Sequence, residues 1–161
     1  MYKIDKTDVN IVALLTEDGR MSASEIARRL GDVTERTVRY RIERMVEEGL
    51  MRVSAVVNPQ ALGFSTVADV FLEVESDKIN EVAETVAQNE YVSYVAYSIG
   101  ETDVSVQVVA QDTAEVYRFI TEVIGKIPGV RKTTTSIVPS VLKDVYQWRI
   151  PTSVLTEGEE E

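Results

Sequence analysis

The strongest constraint on the fold is a pattern of strand-like and helix-like segments that occurs twice in the second part of the chain. In residues 66–99, and again in 103–138, an alternating apolar segment, a segment with helical spacing and a second alternating segment follow one another. A period of two is typical of half-buried strands, and apolar residues three or four positions apart are typical of an amphipathic helix. The order β-α-β-β-α-β predicts a ferredoxin-like α+β domain over residues 64–142.

The same segments predict how this domain associates with a second copy. Four antiparallel strands with both helices on one face leave the other face uncovered, and alternation places Phe71, Tyr97 and Ile137 on that face. An uncovered, partly apolar sheet face usually binds a partner, so we expect a two-fold homodimer with sheet against sheet. The predicted strands are 66–75, 92–99, 104–110 and 130–138, and the predicted helices are 79–87 and, without interruption, 116–127.

Three short helices are predicted in the first fifty residues, each with its own start and stop signals. Ser22 and Glu25 form a capping-box pair at the start of the second helix, and Thr34 is the expected cap of the third. Gly31 supplies the stop between them, so that the turn is only about three residues long. Two short helices joined by a short turn that contains glycine are typical of a helix-turn-helix. The predicted helices are about 5–17, 22–30 and 34–48.

The third helix has one aliphatic side and one cationic side. At about 100° per residue, an aliphatic row formed by Val38, Ile42, Met45 and Val46 lies opposite a row formed by Arg36, Tyr40 and Arg44, which Thr37, Arg39 and Arg41 flank. Arginine can bind guanine through two hydrogen bonds or pair with phosphate, and Thr and Tyr hydroxyls can contact bases or the sugar-phosphate backbone. A merely solvated helix is the alternative. We predict a DNA-recognition helix whose contacts are Arg36, Thr37, Arg39, Tyr40 and Arg44.

Further contacts with DNA are expected from the second helix. Ser22 and Arg28 complete the predicted DNA-binding set, with Arg28 and its neighbour Arg29 placed to position phosphates. Plain solvation of these two arginines is an equally open interpretation. The first domain, residues 1–50, is therefore interpreted as a DNA-binding unit.

A linker and a C-terminal extension complete the predicted organisation. Residues 51–57 alternate weakly and are rich in Val, which predicts one strand, and prolines and glycines close together in 58–63 mark a domain boundary. In the extension, residues 143–161, Tyr146 and Trp148 are expected to cover apolar surface. The acidic end, 157–161, is expected to be disordered, and a functional acidic tail is the alternative.

Composition excludes several kinds of chemistry. The chain has no Cys and no His, which removes disulfides, thiolate and His-based catalysis and most zinc sites, so we expect no enzyme activity, no metal and no cofactor. No apolar run approaches the ~18 residues that span a bilayer, and the opening residues lack the apolar stretch of a signal peptide. We therefore expect a cytoplasmic protein without a membrane partner.

The charge is acidic overall but unevenly distributed. The net charge is −10, yet residues 1–50 carry nine basic and ten acidic side chains, whereas residues 51–161 carry eight and seventeen. Because most of the excess acidic side chains lie in residues 51–161, the net charge of the whole chain does not exclude a nucleic-acid partner for residues 1–50. The acidity and the excess of Arg over Lys would suit a high-salt cytoplasm, and an ordinary acidic protein is an equally open interpretation.

The motifs taken together resemble the Lrp/AsnC, or feast/famine, family of bacterial and archaeal transcription regulators. The similarity covers roughly residues 4–142 and rests on five stretches in order. Asp32 departs from the family pattern as one extra residue before the cap of the recognition helix. The stretches are 4–12, 18–31, 37–50, Asn58-Pro59 with Leu62-Gly63, and Gly100-x-x-Asp103.

The resemblance implies a winged-type helix-turn-helix, a ligand-sensing α+β domain, and dimers that assemble further into tetramers or octamers. It also implies an amino-acid effector bound near the Gly-x-x-Asp turn, and we assign Gly100, Thr102, Asp103, Thr134 and Ser136 to that site. A glycine turn lets backbone N–H groups approach a carboxylate, and an Asp can hold an ammonium group. The alternative for Gly100 and Asp103 is a plain hairpin turn.

The expected function is therefore sequence-specific regulation of transcription, with double-stranded DNA, a second copy of the chain and a small effector as partners. An architectural DNA-binding protein without an effector is the alternative. Decarboxylases of haem precursors share the architecture but depend on histidines, which this chain lacks. Neither the effector, the operator, nor the sign of regulation follows from the sequence.

Overall fold

The computed structural model describes residues 2–155, apart from the side chain of Thr152, and the predicted acidic tail lies outside them. The described chain forms two compact units. One contains residues 2–56 together with 143–155, and the other contains residues 57–142. No helix in the described residues combines the length and the apolar character needed to cross a membrane.

The first unit is built on three short helices, each of which begins at a side-chain cap; the caps of the second and third helices are the predicted ones. The side chains of Asp5, Ser22 and Thr34 each accept the backbone N–H of the residue three positions later. This contact satisfies one of the free N–H groups at each helix start. Ile11, Ile26, Val38 and Met45 are fully buried between the helices. The helices are α1 (Lys6–Glu17), α2 (Ala23–Leu30) and α3 (Glu35–Glu47).

The capping box predicted at Ser22 is only half formed. The Ser22 hydroxyl accepts the Glu25 N–H at 3.2 Å, but the Glu25 carboxylate binds Arg28 and Arg29 instead of returning to the helix start. Two guanidinium groups compete better for a carboxylate than one backbone N–H does. A reciprocal box is present at α1, where Asp5 and Asp8 each accept the other's N–H at 3.0 Å.

The turn between α2 and α3 matches the predicted length. Gly31 ends α2 in a left-handed conformation with φ 80°, and Thr34 caps α3. Asp32, the extra residue of this turn, is exposed, and both caps beside it are intact. The insertion therefore does not disturb the start of α3.

The strand predicted at residues 51–57 is wrong, and no strand follows α3 as a wing in the described part of the chain. A strand requires a hydrogen-bonded neighbour, and this segment has none among residues 2–155. Val53, Val56 and Val57 are all exposed. Within the first unit the segment lines a groove together with α1 and Tyr146. Tyr146 thus contacts partly apolar surface as expected, whereas Trp148 is mostly exposed.

The second unit confirms the ferredoxin-like order. Four strands pair antiparallel in the order β2-β3-β1-β4, and one continuous core lies between the sheet and the helical segments. Ala68, Val70, Leu72 and Val74 supply the inner face of the central strand β1 and are fully buried. The elements are β1 (Thr66–Val74), α4 (Ile79–Ala87), β2 (Val92–Tyr97), β3 (Val104–Ala110), α5 (Thr113–Arg118) and β4 (Val130–Val138).

The second helix of this unit is not the continuous α-helix predicted over 116–127. α5 passes into a π-helical turn, Phe119–Val123, and then into a 3-10 turn, Ile124–Lys126. Val116, Ile120 and Ile124 are buried at intervals of four residues. A π turn holds more residues than an α turn. Side chains four residues apart in this segment therefore face the sheet one after another.

Phe71 lies on the uncovered sheet face as predicted, but the placement of Tyr97 and Ile137 there is wrong. Tyr97 pairs with Val104 and Ile137 pairs with Ala68, and both partners belong to the buried, helix-facing side. Directly paired residues share a face. Both residues lie on edge strands and stay about half exposed, so their apolar character does not reveal which side of the sheet they occupy. A register shift between Val92 and Tyr94 in β2 also breaks the alternation there.

The uncovered face, called here the outer sheet face, mixes apolar and polar groups. Gln107 donates to Asp69 at 3.1 Å, and Lys132 pairs with Glu73 at 2.7 Å. Phe71 lies near the middle of this face, on the inner strand β1. The pairings place on this face Val67, Asp69, Phe71, Glu73, Tyr94, Ala96, Ser105, Gln107, Val109, Lys132, Thr134, Ser136 and Val138.

Gly129 is the glycine whose replacement we expect to be most destabilising. Its φ is +97°, and a Cβ there would lie 2.6 Å from Cβ of Lys78, whereas Gly63 has φ +89° in open space. Left-handed backbone costs a residue with a Cβ about 1–2 kcal/mol, and a steric clash adds about 1–3 kcal/mol. Gly129→Ala should therefore lower the free energy of unfolding clearly more than Gly63→Ala does. Urea denaturation measures both, and equal losses would contradict the expectation.

Candidate nucleic-acid interface

α3 presents two chemically different sides, as its sequence predicts. Val38 and Met45 are fully buried, whereas Arg36, Arg39 and Tyr40 are exposed. The buried side packs against α1 and α2 and so decides which side faces solvent. The outward side is therefore rich in hydrogen-bond donors.

Arg36 and Tyr40 are the most available groups on this outward side. In residues 2–155, the Arg36 guanidinium makes no ion pair or hydrogen bond, and Tyr40 is 60% exposed. Arg39 is exposed as well, but its guanidinium pairs with Glu35 one turn earlier on the same helix. Arg36 is thus free to bind an external acceptor, while Arg39 has to exchange an existing partner.

Thr37 and Ser22 take part in capping as well as being predicted DNA contacts. The Thr37 hydroxyl lies 2.9 Å from the Thr34 hydroxyl, inside the cap of α3. The Ser22 hydroxyl accepts the Glu25 N–H and lies 3.0 Å from the Ser24 hydroxyl. Their structural roles at the two helix starts are therefore established by these contacts.

Arg44 is less free than Arg36, although the sequence groups them on one side. Its guanidinium lies over the Tyr2 ring, 5.9 Å from the centroid, and pairs with Glu48 at 3.1 Å. Only 39% of its side chain is exposed. Eight residues of α-helix also turn Arg44 about 80° away from Arg36. The two arginines are thus not equivalent donors.

On α2, Arg28 and Arg29 share one carboxylate. Arg28 makes two hydrogen bonds to Glu25, at 2.6 and 2.8 Å, and Arg29 makes one at 3.0 Å. The hydrogen bonds from Arg28 and then Arg29 lower the pKa of Glu25 to about 2. Glu25 therefore stays charged down to strongly acidic pH. A phosphate that binds Arg28 would have to replace this carboxylate.

One cluster was missed from the sequence, because it joins α1 to α3. Asp8 is fully buried and binds Arg41, which had been placed beside the outward row. The hydrogen bond to Asp8 raises the pKa of Arg41. Burial favours a higher pKa for Asp5, but the Asp8 N–H and the Arg41 guanidinium outweigh burial and lower it. The sequence did contain a signal for this cluster, because Asp8 stands in the apolar row of α1. A carboxylate that is buried in such a row requires a cationic partner.

In the predicted effector loop, Asp103 connects the turn to the central strand β1 through hydrogen bonds. Its carboxylate accepts the Val74 N–H at 2.7 Å, and its own N–H binds the Leu72 carbonyl at 2.9 Å. Ser98 donates to the Asp103 carbonyl at 2.8 Å. Gly100 is exposed with φ +145° and open space around it. These contacts give Asp103 a structural role in the hairpin, while its second carboxylate oxygen has no partner in the described residues.

The remaining predicted effector residues are spread over different elements. Thr102 lies in the turn, whereas Thr134 and Ser136 lie exposed on the outer sheet face of the edge strand β4. The strand β1 separates β4 from β3, which follows the turn. One chain therefore does not place all five residues around one point.

The capped helices with an outward cationic α3, together with a separate ferredoxin-like unit, have the architecture of a helix-turn-helix DNA-binding protein with a second domain. Family models agree with this class. Residues 4–46 match the AsnC-type helix-turn-helix domain, and residues 67–148 match the Lrp/AsnC ligand binding domain. An uncharacterized HTH-type transcriptional regulator of Pyrococcus abyssi is 42% identical over 145 residues, which are 89% of this chain and 91% of the relative. The chain belongs to the Lrp/AsnC family of transcriptional regulators.

Solved structures show the same fold. The structure of Escherichia coli AsnC matches with a TM-score of 0.82 at 21% identity, over 90% of this chain and 99% of that one. A transcriptional regulator of Neisseria meningitidis, solved as a complex with L-Met, matches with a TM-score of 0.83 at 22% identity, over 92% and 97%. The family models and the relatives confirm the predicted class: a transcriptional regulator with a DNA-binding helix-turn-helix and a ligand-binding domain. The comparisons give no support to the architectural alternative.

Proposed function

We propose that this protein recognises a specific DNA sequence as a homodimer, in the cytoplasm, and that a free amino acid or a similar small molecule changes its affinity for that sequence. The observation that carries the proposal is the unpaired Arg36 guanidinium beside the exposed Tyr40 on the outward side of α3. An arginine without an internal partner can donate both prongs of its guanidinium to a guanine edge. Arg39, Arg44 and Arg28 then serve mainly as phosphate contacts after exchanging their carboxylate partners.

The dimer follows from the outer sheet face. This face is open in a single chain, and Phe71 lies near its middle with 37% of its surface exposed. Two such faces related by a two-fold axis would cover both rings. A two-fold dimer also carries two copies of α3, which can read two half-sites separated by about one helical turn of DNA, ~34 Å, or a multiple of it. Tetramers or octamers are further assemblies of the same dimer.

The effector site is proposed around the hairpin turn and the outer side of β4. The Neisseria meningitidis regulator with bound L-Met supports an amino acid as the ligand class. The open turn at Gly100 exposes backbone N–H groups to a carboxylate, and the second oxygen of Asp103 is available to an ammonium group. Thr102, Thr134 and Ser136 contribute hydroxyl groups. Because β1 separates the two groups of residues in one chain, the site is completed by the surface of another subunit.

Selection from a random pool of duplexes tests the proposal. The purified protein is incubated with the pool at two salt concentrations, with and without each of the twenty amino acids. We expect enrichment of a motif with two related half-sites, and a shift in affinity of severalfold or more with at least one amino acid. Equal affinity for selected and random duplexes would support an architectural protein instead. Enrichment that no amino acid alters would remove the effector from the proposal and leave sequence recognition.

A further inference from the structure

A buried carboxylate at the start of α1 binds the recognition helix. Asp8 is fully buried and is the one buried charged side chain among the residues described. Its carboxylate accepts three hydrogen bonds: from the Tyr2 hydroxyl at 3.0 Å, from the Asp5 N–H at 3.0 Å and from Arg41 at 2.9 Å. A buried carboxylate with several donors holds each of them in a defined position.

Arg41 reaches this carboxylate from the middle of α3. Its guanidinium also binds Asp5 at 2.7 Å, so that two acidic groups of the α1 start hold one arginine. Only 25% of the Arg41 side chain is exposed, in contrast to 64% for Arg39 on the same helix. Arg41 is therefore a cation of the recognition helix that points toward the protein and not toward an external ligand.

Tyr2 extends the network to Arg44, one turn further along the same side of α3. Its hydroxyl donates to Asp8, and its ring lies under the Arg44 guanidinium, 5.9 Å away. A guanidinium over an aromatic ring is attracted by the negative face of the ring. Tyr2, Asp8, Asp5 and Arg41 thus form one cluster, called here the α1–α3 clamp, that holds one turn of α3 and positions Arg44.

We infer that the α1–α3 clamp fixes the rotation of α3 about its own axis, and that Arg41 and Asp8 are positioning residues for sequence recognition instead of contacts with DNA. The inference rests on the proposed function. The aliphatic contacts of α3 decide which side of the helix is buried, but they include no directional bond that fixes its exact rotation. The hydrogen bonds of Arg41 are directional, and a small rotation would break them. Arg36 and Tyr40 lie on the same rigid helix, so their direction follows from that of Arg41.

The inference assigns different roles to Arg39 and Arg41, which the sequence alone does not distinguish. A lost phosphate contact weakens binding to all duplexes and lowers the salt dependence, by about one unit of slope for each contact. A lost positioning residue weakens binding to the selected sequence, while nonspecific binding and its salt dependence remain. Arg41→Gln should therefore weaken binding to the selected duplex alone. Arg39→Gln should weaken binding to all duplexes and lower the salt dependence.

The test measures affinity for the duplex enriched by selection and for a random duplex, over a range of salt, with circular dichroism to confirm folding. For Arg41→Gln and Asp8→Asn we expect at least a tenfold loss on the selected duplex, an unchanged affinity for the random duplex and an unchanged salt slope. Arg41→Lys, which keeps the positive charge but not the planar guanidinium, should recover part of the loss. An equal loss on both duplexes with a lower slope would show that Arg41 binds phosphate and would overturn the inference.

A milder variant keeps the test usable if the buried substitutions unfold the protein. Tyr2→Phe removes the hydroxyl that binds Asp8 but leaves the ring under Arg44, and it leaves the apolar core unchanged. We expect a severalfold loss of affinity for the selected duplex and none for the random duplex. An unchanged affinity for the selected duplex would overturn the clamp. If the wild-type protein itself does not distinguish the two duplexes, the proposed function fails. If the wild type distinguishes them and the variants match it, only the clamp fails.

Discussion

Replacement of Phe71 by Asp is expected to convert the proposed dimer into monomers and to weaken binding to the selected duplex by at least about a hundredfold. Phe71 lies on the inner strand β1 between Ser105 and Thr134, near the middle of the outer sheet face. A carboxylate there would be buried without a partner against its own symmetry mate, which is strongly unfavourable. Loss of the dimer also removes the second recognition helix, and with it the gain from binding two half-sites at once.

Sedimentation velocity and a gel-shift titration measure the two parts of this expectation. Tyr97→Asp is the matched control, because Tyr97 is an exposed aromatic residue whose pairing with Val104 places it on the opposite side of the sheet. It should leave both the dimer and the affinity for DNA unchanged. A monomer produced by Tyr97→Asp, or a dimer that survives Phe71→Asp, would show that the outer sheet face is not the interface.

Arg36→Ala is expected to have the second-largest effect. Arg36 has no internal partner in the described residues, so its loss leaves no unpaired acidic group and should not change the free energy of unfolding appreciably. A two-pronged contact with a base contributes about 1–3 kcal/mol, which corresponds to roughly ten- to a hundredfold in affinity for each half-site. The loss should be concentrated on the selected duplex, and the preference for one base in each half-site should become weaker.

Repeated selection with the variant, together with titration of both duplexes, checks this result. Arg118→Ala is the matched control, since it removes the same charge from α5 in the other unit. The control should bind the selected duplex as the wild type does. An equal loss from both variants would indicate a general effect of charge, and an unchanged base preference in Arg36→Ala would exclude Arg36 from recognition.

The local features of this protein followed from its sequence because they depend on neighbouring residues. The caps at Ser22 and Thr34 and the left-handed stop at Gly31 need only contacts within one turn of backbone. The inner face of β1 and the aliphatic side of α3 follow from periodicity for a similar reason, since burial repeats with the geometry of the element. The outward direction of Arg36 and Tyr40 was thereby predictable.

Features that depend on a distant partner were not predictable in this way. Residues 51–57 have the composition of a strand, but no neighbour pairs with them in the part of the chain that the structure describes. The π-helical turn at Phe119–Val123 contains no proline or glycine that could announce an interruption of the α-helix. Tyr97 was misplaced because a register shift between Val92 and Tyr94 breaks the alternation of the edge strand β2.

The sequence by itself determined the order of the elements, the helix-turn-helix and the cationic side of α3, because short-range geometry and the apolar period encode all three. Only the tertiary structure decided which arginines of α3 are free. Arg41 binds Asp5 and Asp8, more than thirty residues away in the chain, and Arg44 lies over Tyr2. The sequence shows only the charge of an arginine and its position on the helix, and neither differs between a free and a paired arginine. The difference arises when α1 packs against α3 and brings a buried carboxylate within hydrogen-bonding distance.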